Sequence, residues 1–527
     1  MTAVRDTDRT PDVDRIPRRR LRSRVALLGA CGLLLTAPAA WPGAGPAETR
    51  LARMDGTATD AATPPELRRY YQQKLLWEPC PGSPSFQCTT LKAPLDYAHP
   101  DAGDLLLRAI RKKATGNGAR IGSLLFNPGG PGASAIDYLV GGQADLFSPS
   151  VRADYDLVAM DPRGVQYSTP VDCEINTPTT PAGVGRHVSA DSAEIAAYDA
   201  VYGQFTNACA RHAGRLLPHV GTLDAARDMD VLRALLGDDR LHYVGFSYGT
   251  YLGATYADLF PSRVGRMVLD GAVDPTIDGY RNFLQTAAGF QAAWESFATD
   301  CAARTDCPLG HSVKEISRRL DTLRHSLDRT PLRQGKDISI AGDDLFNAVT
   351  TALMAPGWEL LRAALRGVLT GDTIALQQLL GAADDTSSNA TDAFVAISCL
   401  SSPFAPRFTS AQVQAALPQF LRASPQFGKD YATQLMQCTH WPVPPTQPAH
   451  TLTAPGAAPI LIVGTTRDPA TPYPWAKALA RQLSSSRLLT YDADGHAAYQ
   501  RGSTCVDTAV DRYLAQGQLP PAGKICT

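Results

Sequence analysis

Hydrophobic positions along this chain fall into two rhythms. Short apolar runs near 105–110, 121–126, 155–160, 241–246 and 266–270 are separated by Gly, Pro and polar stretches, and two more follow at 459–464 and 486–491. Runs of this length read as strands buried on both faces of a mostly parallel sheet, with earlier strands over about 84–113. Between them, 222–236 sets Leu223, Ala226, Leu232 and Leu236 along one side, which predicts a helix with Thr222 as its N-cap. From about 275 to 450 the strand rhythm stops. Helical patterns take over, for example at 280–299, 312–326, 343–354 and 358–369. The expected architecture is α/β, with a large helical cap inserted between strands six and seven. The core would occupy 66–274 and 451–527 and the cap 275–450, the cap not being an independently placed domain. No internal repeat is evident.

The first residues follow neither rhythm. Arg18 to Arg24 hold a basic cluster, 25–36 is an apolar stretch too short to span a bilayer comfortably, and Ala37-Pro38-Ala39 is a small-residue cleavage pattern. This predicts a signal peptide over 1–39. The paired arginines also suggest a twin-arginine route, although the residues after them fit it poorly. Leu28-Gly29-Ala30-Cys31 reads alternatively as a lipoprotein box, with a lipid anchor at Cys31 the minor alternative. The stretch 40–65, rich in Ala, Gly, Pro and Thr, reads as a flexible linker or pro-segment.

Composition adds exclusions. The chain has 527 residues, is 44% hydrophobic and 19% charged, and carries a formal net charge of −1. Nothing there points to nucleic acid or an acidic surface as partner. No phosphate-binding glycine loop or Cys/His cluster with metal spacing occurs, so no cofactor and no metal are expected. Of 11 cysteines, one lies in the signal, leaving an even set that suggests disulfides in an exported protein. Close spacing favours Cys80–Cys88, Cys301–Cys307 and Cys505–Cys526; Cys173–Cys209 and Cys399–Cys438 would use the rest, though spacing leaves the connectivity open. The expected location is secreted or cell-wall associated, without stable membrane insertion after signal cleavage.

The chemistry concentrates at Gly245-Phe246-Ser247-Tyr248-Gly249, between the apolar run 241–244 and a helical pattern. Strand, G-x-S-x-G, helix is the nucleophile elbow of the α/β-hydrolase fold: the turn exposes Ser247 near a helix N-terminus, where developing negative charge is favoured. G-x-S-x-G is short enough to arise by chance, so its partners matter. The fold requires acid and then base further along the chain. Asp468 stands in the loop after the strand 459–464, and His496 follows Gly495 after the strand 486–491. His496 would take the Ser247 proton while Asp468 holds the imidazole. Asp270, at the end of 266–270, is the runner-up acid. Asp492 and Asp494 lie too close in sequence to His496 to reach round its ring.

The turn Asn127-Pro128-Gly129-Gly130-Pro131-Gly132 follows the run 121–126. A tetrahedral oxyanion needs two converging N–H donors; the expected pair is Tyr248 and Gly130. G-G-P-G, then Met160-Asp161-Pro162-Arg163-Gly164, then G-F-S-Y-G-T and V-L-D-G-A-V-D-P together resemble the secreted bacterial tripeptidyl aminopeptidases, related to the prolyl aminopeptidases among the α/β-hydrolases. The resemblance runs from about Glu66 to the last cysteine. Asn127 stands where relatives often carry His, and Gln166 replaces a small residue; both bear on the shape of the cleft.

Two function classes share these residues: a serine exopeptidase acting on peptides with free amino termini, and a serine esterase or lipase-like hydrolase acting on acyl esters. Fold does not separate them; export, disulfides and the resemblance favour the exopeptidase, acting as a monomer. Such an enzyme needs a carboxylate for the substrate ammonium. Trp294-Glu295 resembles the cap motif of prolyl aminopeptidases and makes Glu295 the expected anchor, with Asp274 and Asp300 next.

Overall fold

The computed structural model describes residues 63–174, 192–334, 338–355, 357–383 and 389–527. The expected signal peptide, Cys31 and nearly all of the expected linker lie outside them. The described residues hold twelve strands: β1 (Glu78–Cys80), β2 (Ser83–Pro94), β3 (Asp104–Lys112), β4 (Gly122–Asn127), β5 (Tyr155–Met160), β6 (Leu241–Phe246), β7 (Val264–Asp270), β8 (Leu332–Gln334), β9 (Ile338–Ile340), β10 (Ile460–Arg467), β11 (Ser486–Asp494) and β12 (Ile525–Cys526). Ten of them form one sheet in the order β1-β2-β3-β5-β4-β6-β7-β10-β11-β12, and β8 pairs with β9. Pairings up to β3–β5 are antiparallel; from β5 to β12 every pairing is parallel. The continuous apolar runs now have their reason. β4 and β5 are buried at every position, because helices cover both faces of a parallel sheet. One face packs against Thr222–Leu235 and Tyr248–Leu259, the other against Thr504–Gln516.

The order of the sheet decides where chemistry can occur. After β4 the chain crosses to β5 on one side and later to β6 on the other. β4 therefore lies at the point where strand order reverses, and a crevice opens at the carboxyl ends of strands there. Register brings the ends level: Asn127 faces Gly245 across β4–β6, Phe246 faces Asp270 across β6–β7, and Asp270 faces Val463 across β7–β10.

The helical block falls where it was expected, between β7 and β10. It includes helices Gly279–Ala302, Val313–Arg329, Gly342–Met354, Glu359–Thr370 and Ser410–Ala423, with a core of its own that contains Trp294, Phe297, Leu361 and Phe420. Two helices join this core to the sheet. Ser192–His212 contributes Tyr198 and Tyr202 to the inserted core but Phe205 and Cys209 to the sheet's, and Ala390–Leu400 packs into the sheet's core through Ala393, Ile397 and Leu400.

Three details depart from expectation. The hairpin β8–β9 interrupts the helical block. The short edge strands β1 and β12 extend the sheet, and β1 together with the hairpin β8–β9 makes the strands flanking the insertion seventh and tenth in chain order. The N-cap of Thr222–Leu235 is Gly221, and Thr222 is the first helical residue; its Oγ1 instead bonds Tyr248 Oη (2.8 Å) and Ser401 Oγ (2.9 Å). A hydroxyl with two buried tertiary partners is better satisfied than one closing a helix end. All ten cysteines of the described residues are paired, as Cys80–Cys88, Cys173–Cys209, Cys301–Cys307, Cys399–Cys438 and Cys505–Cys526.

Candidate active site

Ser247 sits between β6 and helix Tyr248–Leu259 with φ 54° and ψ −124°, a conformation that costs a non-glycine residue energy and tends to occur at functional sites. The surroundings impose it. The Ser247 N–H donates to the Asp270 carbonyl (3.0 Å), and its carbonyl accepts from Thr250 N (2.8 Å) and Oγ1 (2.6 Å). The flanking glycines have a steric reason. A Cβ on Gly245 would lie 2.5 Å from the Gly249 carbonyl oxygen, and one on Gly249 would lie 2.8 Å from Asn127 Oδ1. Ser247 is partly exposed while its neighbours on both sides are buried, so the turn presents this side chain to the crevice.

The turn after β4 rests directly on the elbow. A Cβ on Gly129 would lie 2.9 Å from Ser247 Cβ and 3.2 Å from Tyr248 N. The Gly129 N–H donates to Asn127 Oδ1 (3.0 Å), which occupies it. The Gly130 N–H has no partner among the described residues, and the Tyr248 N–H, in the first turn of its helix, has no intrahelical acceptor. Gly130 and Tyr248 are the residues expected from the sequence to supply the oxyanion donors. The Gly130–Pro131 peptide bond is cis. The turn is held from below by Asp161, which is fully buried and accepts from Ser134 Oγ (3.0 Å), Ile136 N (3.1 Å) and Tyr167 N (3.3 Å). Burial pushes its carboxyl up to about 7. Two residues on, Arg163 is a buried brace: it grips Asp228 through two bonds of 2.7 Å and donates to the Pro94, Leu95 and His219 carbonyls.

On the other side of the elbow, His496 Nδ1 lies 2.9 Å from both oxygens of Asp468. That carboxylate is buried and also accepts from Ala470 N (2.9 Å), Thr471 N (2.8 Å), Thr471 Oγ1 (3.0 Å) and Ala497 N (3.1 Å). An acceptor so surrounded is fixed in place and orients the ring through its Nδ1–H. His496 and Ser247 adjoin one corner, because a Cβ on Gly271, the residue after Asp270, would lie 3.1 Å from His496 Cε1. Among the described residues no hydrogen bond joins Ser247 Oγ to the ring; bonds of this kind often tighten only in the substrate complex. Asp270, the runner-up acid, points elsewhere: its carboxylate accepts from Ala498 N and Tyr499 N. Asp492 and Asp494 pair with Arg467 at 2.8 and 3.0 Å.

The insertion touches this apparatus at three points. His496 N–H donates to the carbonyl of Met354, the last residue of helix Gly342–Met354 (2.9 Å). A Cβ on Gly289 would lie 2.5 Å from the Pro469 carbonyl, and one on Gly132 would lie 2.8 Å from the Ala390 carbonyl. Neither Met354 nor Asn389, the residue before Ala390, carries a sequence signal for such a role.

Glu295 is the expected site residue that these contacts do not reach. It is exposed and accepts from Gln291 Nε2 (3.1 Å). Gly289, on the same helix, faces the Asp468 loop; six residues on is about 240° round the axis, on the other side. The amphipathic packing of that helix sets the orientation: Phe290, Trp294 and Phe297 turn into the inserted core and leave Glu295 outside. Asp274 accepts from Thr276 Oγ1 (2.7 Å) and Gln482 Nε2 (2.9 Å), and Asp300 pairs with Arg304 and Arg362, each at 2.9 Å.

Several known proteins resemble this chain over most of its length. Residues 424–526, which carry Asp468 and His496, match the family model described as TAP-like protein. The chain is 36% identical to serine protease Hip1 of Mycobacterium tuberculosis, over 86% of this chain and 91% of that one. It is 36% identical to carboxylesterase B of the same organism, over 84% and 86%. It is 31% identical to tripeptidyl aminopeptidase of Streptomyces lividans, over 85% and 86%.

Proposed function

This chain belongs to the tripeptidyl-aminopeptidase-like family of α/β-hydrolases and is a hydrolase, and from that premise we propose that it is a secreted serine exopeptidase. It releases short peptides, in the first instance tripeptides, from free amino termini through an acyl-enzyme on Ser247. The His496 ring, held by Asp468 at 2.9 Å beside the corner that bonds the backbone of Ser247, supports serine hydrolysis, and likeness to a tripeptidyl aminopeptidase over 85% of this chain supports the choice of substrate. Ser247 Oγ attacks the scissile carbonyl while His496 Nε2 removes its proton. The Gly130 and Tyr248 N–H groups receive the charge that develops on the carbonyl oxygen. Collapse of the tetrahedral intermediate breaks the C–N bond, and His496 returns the proton to the leaving amine. Water, activated in the same way, then frees the acyl group and restores Ser247. Core segments 66–274 and 451–527 supply these groups, and the cap 275–450 limits what enters. Export is supported by the five disulfides.

A second reading, a serine esterase on the same residues, is favoured by one observation: a relative of equal identity is named a carboxylesterase. A single panel separates the two. Chromogenic mono-, di- and tripeptide amides, with free and blocked amino ends, are compared with short-chain acyl esters. The exopeptidase reading expects the free tripeptide amide to lead in kcat/KM and N-blocking to abolish most of the rate; faster turnover of esters, indifferent to blocking, would make it an esterase. Ser247→Ala is expected to lose several orders of magnitude in kcat while staying folded, and His496→Ala nearly as much. A serine-reactive phosphonate should label Ser247. Undiminished activity in Ser247→Ala would overturn the site itself.

A further inference from the structure

Asp270 is a buried carboxylate for which the reaction above has no use. It ends β7, is fully buried, and faces in two directions at once. Its backbone carbonyl accepts the Ser247 N–H at 3.0 Å. Its side chain accepts Ala498 N (3.1 and 2.9 Å) and Tyr499 N (2.7 Å), two and three residues after His496. The corner is rigid on its other side too, since the Gly271 N–H donates to the Val463 carbonyl at 3.1 Å. Gly271 has φ 69°, and a Cβ there would meet His496 Cε1 and Thr471 Oγ1, both at 3.1 Å. One residue thus holds the nucleophile's turn through its main chain and the base's loop through its side chain. Those two segments are about 250 residues apart in sequence, and no disulfide of the described residues joins them. The His496 loop has need of such a hold: Ala497 and Gln500 both take positive φ, at 63° and 64°, and each costs energy unless neighbours impose it.

We propose that Asp270 is a positioning residue that sets the distance and angle between His496 and Ser247 by clamping the 498–499 amides to the elbow. The proposal rests on the assignment of Ser247 and His496 above. Asp270 is not the triad acid, because the ring nitrogen is bonded to Asp468 and both Asp270 oxygens are turned to backbone amides. The charged groups that face it are Asp468 and His496. Its negative charge therefore also favours the imidazolium that forms during proton transfer. Burial pushes its carboxyl up to about 6, against the pull of the two amides, which is what a carboxylate with backbone donors and no ion-pair partner would show.

Asp270→Asn keeps the shape and one good acceptor but loses the charge and leaves one amide poorly paired. The expected result is a fall in kcat of about 10- to 100-fold, the scale of a small misplacement at a reacting centre, with KM within about 2-fold. The acid limb of the kcat/KM profile should also move to lower pH, because loss of the nearby charge makes His496 easier to deprotonate. A merely structural role would scale the curve by the fraction folded and leave the limb where it is. Asp270→Glu, which restores the charge but not the reach, should return the limb toward wild type while kcat stays low. An unchanged kcat and an unmoved limb in Asp270→Asn would overturn the proposal, as would a loss fully accounted for by a smaller phosphonate-labelled fraction. If neither variant accumulates folded, hydrogen exchange in the wild type decides: the 498–499 amides should be protected, and exchange as fast as in exposed loops overturns the clamp. Failure of the underlying site looks different, since Ser247→Ala would then remain active.

Discussion

At the scale of residues, the crevice is built from side chains whose burial is tolerated because each is bonded. Asp161 shows how this becomes measurable. Its folded carboxyl titrates at about 7, raised from its ordinary value by burial. The folded chain therefore holds a proton that the unfolded chain has lost between about pH 4 and pH 7, and stability contributed by that proton is present below the unfolded pKa and is lost as pH rises through the folded one. Asn imitates the protonated form. Asp161→Asn is therefore expected to gain on wild type in Tm between pH 4 and pH 7, with the smallest difference at the acid end; a difference that stays constant with pH, or that moves the other way, would show that the native group is charged throughout. The motif around Asp161 was visible in the sequence, but its task was not. D-P-R-G marks a family, whereas the knowledge that Asp161 bonds Ser134 and that Arg163 bonds Asp228 depends on partners 27 and 65 positions away. Ser247, Asp468 and His496 were legible for the opposite reason. Each follows a strand with a clear apolar run, and their order along the chain is constrained by the fold itself.

At the scale of elements, the insertion behaves as part of the crevice wall. Asn389 shows this most directly. It is buried, accepts from Gln166 N (2.9 Å), and donates to the Gly164 and Val171 carbonyls (2.8 and 2.9 Å), which fastens the start of helix Ala390–Leu400 to the D-P-R-G loop. One residue on, Cα of Gly132 comes against that same helix. Asn389→Ala would take an acceptor from the Gln166 N–H and a donor from the Val171 carbonyl, while the Gly164 carbonyl keeps the Val171 N–H at 2.9 Å, and a buried polar group left unpaired costs about 1–3 kcal/mol. The expected outcome is a lower denaturant midpoint with an unchanged m-value, together with a loss of activity that exceeds the loss of folded protein, because the turn carrying Gly130 loosens; an effect on stability alone would mean that the latch holds the insertion without serving the turn. Helices of the insertion were readable from their 3.6-residue rhythm, including Gly342–Met354 and Glu359–Thr370 to within a residue or two. The direction each helix faces was not readable, and Glu295 is the consequence: an aromatic pattern locates the helix, but contact of Gly289 with Pro469 decides which side meets the crevice. The strands β1, β8, β9 and β12 are too short to leave a pattern of their own and exist through pairing.

At the scale of the whole molecule, five disulfides cross-link the described chain, and they do different amounts of work. Cys301–Cys307 closes a separation of 6 residues at the end of helix Gly279–Ala302, whereas Cys399–Cys438 closes 39 and Cys173–Cys209 closes 36. If cross-links act chiefly by restricting the unfolded chain, the long closures stabilise by about 4 kcal/mol each and the short one by about 2. The long ones also sit where the two cores meet. Cys399 and Cys438 are both buried in the sheet's core although the chain between them belongs to the insertion, and Cys209 lies on the helix shared by both cores. Removal of Cys399–Cys438 by paired alanine substitution should therefore lower Tm more than removal of Cys301–Cys307, and it should separate unfolding of the insertion from unfolding of the sheet. If residues 1–39 are removed on export, the protein should present no thiol to alkylation until it is reduced, and ten afterwards by intact mass, one for each cysteine from Cys80 to Cys526. Two or more thiols alkylated in the native, unreduced protein would contradict the cross-linked frame, and an equal Tm loss from the short and long closures would contradict the chain-entropy account of what the frame does.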